Sequence, residues 1–219
     1  MVSENYILWE VDVQQDFMLP GGKLYVPGAE KLRANIRRLT NAARAGRVFL
    51  VSHGDFHAND DPEFARFPPH CVKGTAGAEL LPEALTEKVV CVANEEGAEI
   101  PKDLSPYQQI VLEKQTLDIF QSRHADALLA RLSRNAEFVV FGVVTEFCVN
   151  FAARGLLERG RRVALVTDAI ETLNPQDGER TIADLQRMGA RLTTTNEILK
   201  TLGVGPRTRD RGQSPRSEV

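Results

Sequence analysis

Short apolar runs alternate along this chain with stretches that have helical periodicity. The strand-like runs cover 6–11, 47–52, 88–93, 109–113, 137–141, 163–167 and 191–194. The stretches with apolar residues at helical spacing cover 27–45, 125–132, 146–159 and 176–188. Several of the strands are apolar throughout, which is typical of strands that are covered on both faces. The pattern therefore predicts an α/β fold with a mainly parallel central sheet and helices on both faces.

Composition narrows the class of protein. The chain has 219 residues, of which 42% are hydrophobic and 26% charged, and this predicts one globular domain over 1–205 followed by a mobile polar tail at 206–219. A formal net charge of -3 argues against a nucleic-acid partner. We expect a cytoplasmic protein, because the chain has three cysteines, an odd number, and no signal-peptide pattern. We expect no membrane partner, because no apolar run is long enough to cross a bilayer.

Three reactive side chains each follow a predicted parallel strand. They are Asp12, Lys114 and Cys148, and residues at the carboxyl ends of such strands meet at one edge of the sheet. Cys148 lies where a strand passes into a helix, a place where the helix dipole favours a thiolate. A thiol, a base and a polarising group are the parts of a nucleophilic site. Taken singly, each also fits a structural role as a buried cysteine, a turn-forming aspartate or a solvated lysine.

A long aperiodic segment, 54–77, is rich in Asp, His, Pro and Gly, and loops of this length in compact domains are usually functional or disordered. It contains a candidate metal-binding set, Asp55, His57, Glu63 and His70. Two imidazoles and two carboxylates suit a divalent ion, with Zn²⁺ preferred and Fe²⁺ or Mn²⁺ as alternatives. The alternative interpretation is a polar surface loop with incidental histidines.

The chain resembles the nicotinamidase branch of the isochorismatase-like cysteine hydrolases over about residues 6–200. Four segments carry the resemblance. The first contains Asp12, Asp16 and Phe17, and the second spans the metal candidates and Phe67. The third is Lys114, and the fourth is the run 142–149, which contains Cys148. Asp16, directly before Phe17, suits a turn-holding role.

The resemblance implies a role for each of these residues. Cys148 would attack the amide carbonyl, Asp12 would move the proton, and Lys114 would hold both in place. The bond between Val143 and Val144 would be cis, and the backbone N–H groups of Val144 and Cys148 would hold the oxyanion. Phe17 and Phe67 would enclose a flat ring in the substrate site. The metal would position that ring, with Asp55, His57 and His70 as ligands and Glu63 where relatives use His or Glu.

Three functions remain open from the sequence. The first is hydrolysis of nicotinamide or a similar small aromatic amide. The second is hydrolysis of another small amide, ureido or carbamoyl compound, because many relatives have Trp at the position of Phe67 and a different sequence at 115–120. The third is an inactive metal-binding or partner-binding relative. The resemblance also leads us to expect a small-molecule amide as the partner and a homo-oligomer as the assembly.

Overall fold

The computed structural model describes residues 3–204 of the chain, and within them seven strands form a single sheet. The strands are β1 (Tyr6–Val11), β2 (Phe49–Asp55), β3 (Val89–Val92), β4 (Gln109–Lys114), β5 (Glu137–Gly142), β6 (Arg162–Ile170) and β7 (Arg191–Thr193). Their order is β3-β4-β2-β1-β5-β6-β7, and all neighbours are parallel. This confirms the predicted α/β class with a mainly parallel sheet. The predicted tail, 206–219, lies outside the described residues.

Helices cover both faces of the sheet. They are α1 (Gln15–Met18), α2 (Arg33–Arg44), α3 (Ala125–Arg131), α4 (Asn150–Glu158), α5 (Pro175–Arg187) and α6 (Thr195–Thr201). Leu39 of α2 and Ile198 of α6 belong to one buried apolar cluster. Leu128 of α3, Leu156 of α4 and Leu185 of α5 belong to the other, on the opposite face. None of the helices in the described part of the chain is long and apolar enough to span a bilayer.

Two elements differ from the prediction in ways that shape the functional edge. The second strand was expected to end at residue 52, but β2 continues to Asp55 because its last residues pair in register with β4. The helix after β5 was expected from residue 146, but α4 begins at Asn150. Residues Thr145–Val149 form a wide π-type turn instead, in which Phe147 has a non-helical backbone. Cys148 therefore lies in a turn before the helix.

Two further differences from the prediction concern helices. The predicted helix at 27–45 begins as a short 3₁₀ turn, Ala29–Leu32, and becomes α-helical only at Arg33. Helix α6 was not predicted. Its signal is present in the sequence, because Thr194 and Glu197 form a reciprocal capping box at its start.

Candidate active site

The ends of three neighbouring strands bring the predicted acidic and basic residues to one edge of the sheet. Asp12 directly follows β1, and its backbone N–H donates to the carbonyl of His53 in β2 over 3.0 Å. Asp55 and Lys114 are the last residues of β2 and β4, and they are paired in register. Because the strands are parallel, all three side chains lie at the carboxyl edge, where such sheets bind ligands.

Lys114 is the centre of this group. Its ammonium nitrogen lies 3.0 Å from Asp12 Oδ2, 2.5 Å from Asp55 Oδ1 and 3.7 Å from Cys148 Sγ. The side chain is fully buried. Burial acts to lower the pKa of Lys114, but the charges of Asp12 and Asp55 outweigh it and hold the pKa well above its usual value. The lysine is therefore an ammonium that contacts a carboxylate and a thiol together, as the strand-end argument predicted.

Asp12 and Cys148 form a pair of an ionised acid and a neutral thiol. Burial acts to raise the pKa of Asp12, but the Lys114 ammonium and the contact with His53 lower it overall. Burial raises the pKa of Cys148 well above its usual value, and the charge of Asp12 adds to this effect. The helix terminus favours a thiolate, but burial has the opposite and larger effect on the pKa of Cys148. Desolvation of this buried sulfur outweighs the favourable ammonium, so the thiol proton must be removed by a base.

A second group of side chains lies beside the first and has the features of a metal site. The ligand atoms of Asp55, His57 and His70 lie within 4.8 Å of one another. Asp55 Oδ2 is 3.9 Å from Nε2 of each histidine. This oxygen is the one that does not contact Lys114, since Lys114 contacts Oδ1.

The other ring nitrogens of these histidines are oriented by acceptors. Nδ1 of His57 lies 3.0 Å from Asp61 Oδ2, and Nδ1 of His70 lies 2.8 Å from the carbonyl of Pro68. With the proton on Nδ1, each Nε2 presents a lone pair to the same point, which is the arrangement of metal-ligating histidines. Among the described residues, neither ring nitrogen of His57 has a hydrogen-bond partner although both are buried, and Nδ1 has only the ion-pair contact with Asp61. Two imidazoles and one carboxylate therefore fit a divalent ion at this point.

Glu63, the fourth predicted ligand, is not part of this cluster of ligand atoms. It lies in the 3₁₀ turn Pro62–Ala65 and lines the adjoining cleft. Burial raises the pKa of Glu63, and the charge of Asp55 raises it further. The structure thus brings together three of the four predicted ligands.

Two buried polar residues hold the loop that carries these ligands. Gln14 accepts from the backbone N–H of Asp55 over 2.7 Å and donates to the Asp55 carbonyl over 2.6 Å. Asp16 accepts from the backbone N–H groups of Lys23 (2.9 Å) and Cys71 (2.7 Å), which agrees with its predicted turn-holding role. Sequence reasoning missed Gln14, because nothing local shows that its amide reaches a strand 41 residues away.

His53 is the other residue that sequence reasoning missed. It lies inside β2, fully buried, and its Nδ1 is 3.2 Å from Asp12 Oδ1. The register of β1 and β2 places it opposite Val11, directly before Asp12. A register argument could have found this contact, but it requires knowing that β1 and β2 are neighbours.

A small cleft of about 50 Å³ opens onto both groups. Its lining comprises Phe17, Leu24, Asp55, Glu63, Phe67, His70, Leu117, Val144, Phe147, Cys148 and Leu173. The ring of Phe17 meets His70 edge-on at a centroid distance of 5.4 Å, and that of Phe67 does so at 6.4 Å. The peptide bond between Val143 and Val144 is cis, as the resemblance implied. Both predicted aromatic residues and the cysteine therefore border one cleft.

The cleft adjoins a wider groove of about 550 Å³, with which it shares Glu63, Phe67 and Leu117. Residues 115–118 line this groove. The groove is more open and more polar than the cleft.

Fold and site together define an α/β protein with a buried cysteine, aspartate and lysine at the carboxyl edge of a parallel sheet. The chain belongs to the isochorismatase family, since the isochorismatase domain matches it over two overlapping segments, 7–94 and 85–197.

Individual relatives agree with this family. A nicotinamidase of Escherichia coli (strain K12) is 24% identical over 216 residues, which cover 88% of this chain and 96% of that protein. The crystal structure of a pyrazinamidase of Pyrococcus horikoshii in complex with zinc superposes with a TM-score of 0.68 at 24% identity, covering 87% of this chain and 99% of the other. An N-carbamoylsarcosine amidase of Thermoplasma acidophilum superposes with a TM-score of 0.67 at 24% identity, covering 88% and 97%.

Proposed function

We propose that this chain is a cysteine-dependent amide hydrolase that releases ammonia from nicotinamide or a similar small heteroaromatic amide. The observation that carries the proposal is the contact of one buried ammonium, that of Lys114, with Asp12 and Cys148 at the edge of an enclosed cleft. The similarity to a nicotinamidase along nearly its whole length supports the same reaction class.

The first half of the reaction forms a thioester. Asp12 is ionised and Cys148 is a neutral thiol, so the carboxylate takes the thiol proton as the sulfur attacks the carbonyl carbon of the amide. Lys114 stabilises the developing thiolate without giving up its own proton, because its pKa is raised. The tetrahedral oxyanion is held by the backbone N–H groups of Val144 and Cys148. Collapse expels ammonia, which leaves with the proton that Asp12 received.

The second half of the reaction regenerates the thiol. Asp12 is again a carboxylate and takes a proton from a water molecule, which attacks the thioester carbon. The carboxylic acid departs, and Cys148 recovers a proton from Asp12. The buried position of both groups limits the number of water molecules that reach the intermediate.

Asp55, His57 and His70 are the residues that would hold a divalent metal, with zinc preferred and iron or manganese as alternatives. When bound there, the ion supplies a Lewis acid that positions the ring nitrogen of the substrate. Glu63 borders the same space and is proposed to complete the site. Phe17 and Phe67 enclose the ring from the cleft walls.

A second candidate is a hydrolase of another small amide, ureido or carbamoyl compound. The observation that favours it is the wide groove beside the cleft, which residues 115–118 line and which has room for a group other than a single ring. The two candidates share the catalytic residues and differ only in what occupies the cleft.

The experiment is an ammonia-release assay with the purified, zinc-supplemented protein and a panel of nicotinamide, pyrazinamide, benzamide and N-carbamoyl amino acids. We expect nicotinamide to have the highest kcat/KM and the matched variant C148A to release no ammonia above background. A preference for the carbamoyl compounds would select the second candidate. No release from any member of the panel beyond the C148A rate would reject both.

A further inference from the structure

We infer that His53 is a positioning residue that fixes the carboxylate of Asp12 for proton transfer. The inference rests on the proposed function, because it assigns a part of the same reaction. It starts from a contact that the mechanism does not use, in which Nδ1 of His53 lies 3.2 Å from Asp12 Oδ1. Both side chains are buried, so water does not weaken the contact.

The two oxygens of Asp12 have different partners. Lys114 contacts Oδ2 over 3.0 Å, and His53 contacts Oδ1 over 3.2 Å. With only the lysine, the carboxylate could rotate about its terminal bond and present either oxygen to the thiol. With the Lys114 charge beside Oδ2 and the His53 ring nitrogen at Oδ1, the plane of the carboxylate is set, and with it the direction from which the proton of Cys148 is taken.

The surroundings of His53 favour a proton on Nδ1, the nitrogen that this role requires. Among the described residues, Nε2 of His53 has no hydrogen-bond partner, whereas Nδ1 faces a carboxylate oxygen. A tautomer with its proton on Nε2 would leave that donor unsatisfied and bring two acceptors together at Nδ1. The ring packs against Trp9 with a centroid distance of 6.1 Å, which holds it in this orientation. Both the Nδ1–H tautomer and the imidazolium donate from Nδ1, so the contact does not depend on the charge of His53.

His53 also holds the main chain of Asp12. Its carbonyl accepts from the Asp12 backbone N–H over 3.0 Å. Asp12 has φ +52°, a left-handed conformation that is uncommon for residues other than glycine. One residue therefore restrains both the strained backbone and the side chain of the proposed base.

The test uses three variants that differ in where they place a donor. In H53N the side-chain amide nitrogen takes the position of the His53 Nδ1 atom. In H53Q it takes about the position of the His53 Nε2 atom, and the leucine of H53L has no donor. We expect H53L and H53Q to lose kcat by about 10- to 100-fold with KM changed less than about threefold, because misplacing a reacting group by about 1 Å costs as much as 10²-fold. We expect H53N to retain kcat within about fivefold of the wild type, since the position of its donor is preserved. Equal losses in H53N and H53Q, or none in H53Q, would overturn the inference, and this comparison holds even where H53L does not fold.

A second readout does not need turnover. In a ¹⁵N–¹H correlation spectrum of the imidazoles, the His53 signals are those missing from H53N. We expect a proton on Nδ1 of His53 whose resonance moves upfield in D12N. A proton on Nε2 instead would contradict the inference even in an active enzyme. If the wild type releases no ammonia from any amide but this signature is present, the proposed function fails and the contact between His53 and Asp12 stands.

Discussion

A buried carboxyl group outside the active site gives a quantitative test of the physical reasoning. Glu10 lies in β1, is fully buried and accepts from Ser52 Oγ over 2.7 Å, and Ser52 in turn accepts from Gln109 over 2.8 Å. Its other oxygen has no partner among the described residues. Burial raises the pKa of Glu10 from 4.5 to about 8, and the single bond from Ser52 offsets little of this effect.

The sign of the pH dependence follows from the protons that each state binds. Between pH 4.5 and about 8 the folded protein keeps the proton of Glu10, whereas the unfolded chain loses it. The contribution of Glu10 to the free energy of unfolding therefore falls as the pH rises through this window and is level on either side of it. The difference between the two pKa values corresponds to about 5 kcal/mol as an upper limit. The variant E10Q is neutral in both states, so it lacks this slope.

The assay is urea denaturation of the wild type and E10Q at pH 5 to 9, with E158Q as the control. Glu158 is exposed at the end of α4, so E158Q makes the same chemical change at the surface. We expect E10Q to gain several kcal/mol relative to the wild type between pH 5 and pH 8, within the limit of about 5 kcal/mol. A relative gain below about 1 kcal/mol would refute the claim that burial keeps Glu10 protonated.

Further predictions concern the site itself. K114M should abolish ammonia release and lower the free energy of unfolding by about 3–5 kcal/mol, because it leaves the buried carboxylates of Asp12 and Asp55 without their ammonium partner. A decrease in the free energy of unfolding below about 1 kcal/mol, measured by urea denaturation, would contradict this prediction. H57A should retain less zinc after dialysis than the wild type does, as measured by mass spectrometry of the metal, and equal stoichiometry in the two proteins would remove His57 from the ligand set. F67A should raise KM for nicotinamide about tenfold with little change in kcat, since it removes an aromatic ring from the wall of the cleft. A tenfold fall in kcat would instead show that Phe67 contributes to the chemical step.

The placement of the three reactive residues at one edge of the sheet could be predicted from the sequence, because it follows from strand direction alone. Asp12, Lys114 and Cys148 each follow an apolar strand, and parallel strands have their carboxyl ends at the same edge. The candidate metal ligands were identified by composition, since histidines and carboxylates cluster in one loop. Neither argument depends on the order of strands in the sheet.

The charge state of Cys148 and the contacts of His53 could not be predicted in this way. The thiol pKa depends on how much water reaches the sulfur, and only the packed structure shows that burial exceeds the influence of Lys114. The contact between His53 and Asp12 depends on β1 and β2 being neighbours in a defined register. The place of Glu63 outside the ligand cluster depends on a 3₁₀ turn within an aperiodic loop.

The central claim is that Cys148 forms a covalent bond with the acyl group of an amide, with Asp12 as the base. It is tested most directly by quenching the reaction with nicotinamide in acid within milliseconds and mapping the modified peptide by mass spectrometry. We predict a nicotinoyl group on Cys148 that appears before steady state, is absent from C148A and is strongly reduced in D12N. Steady release of ammonia with no acyl group on Cys148 at any time, or with unchanged release in C148A, would contradict the claim.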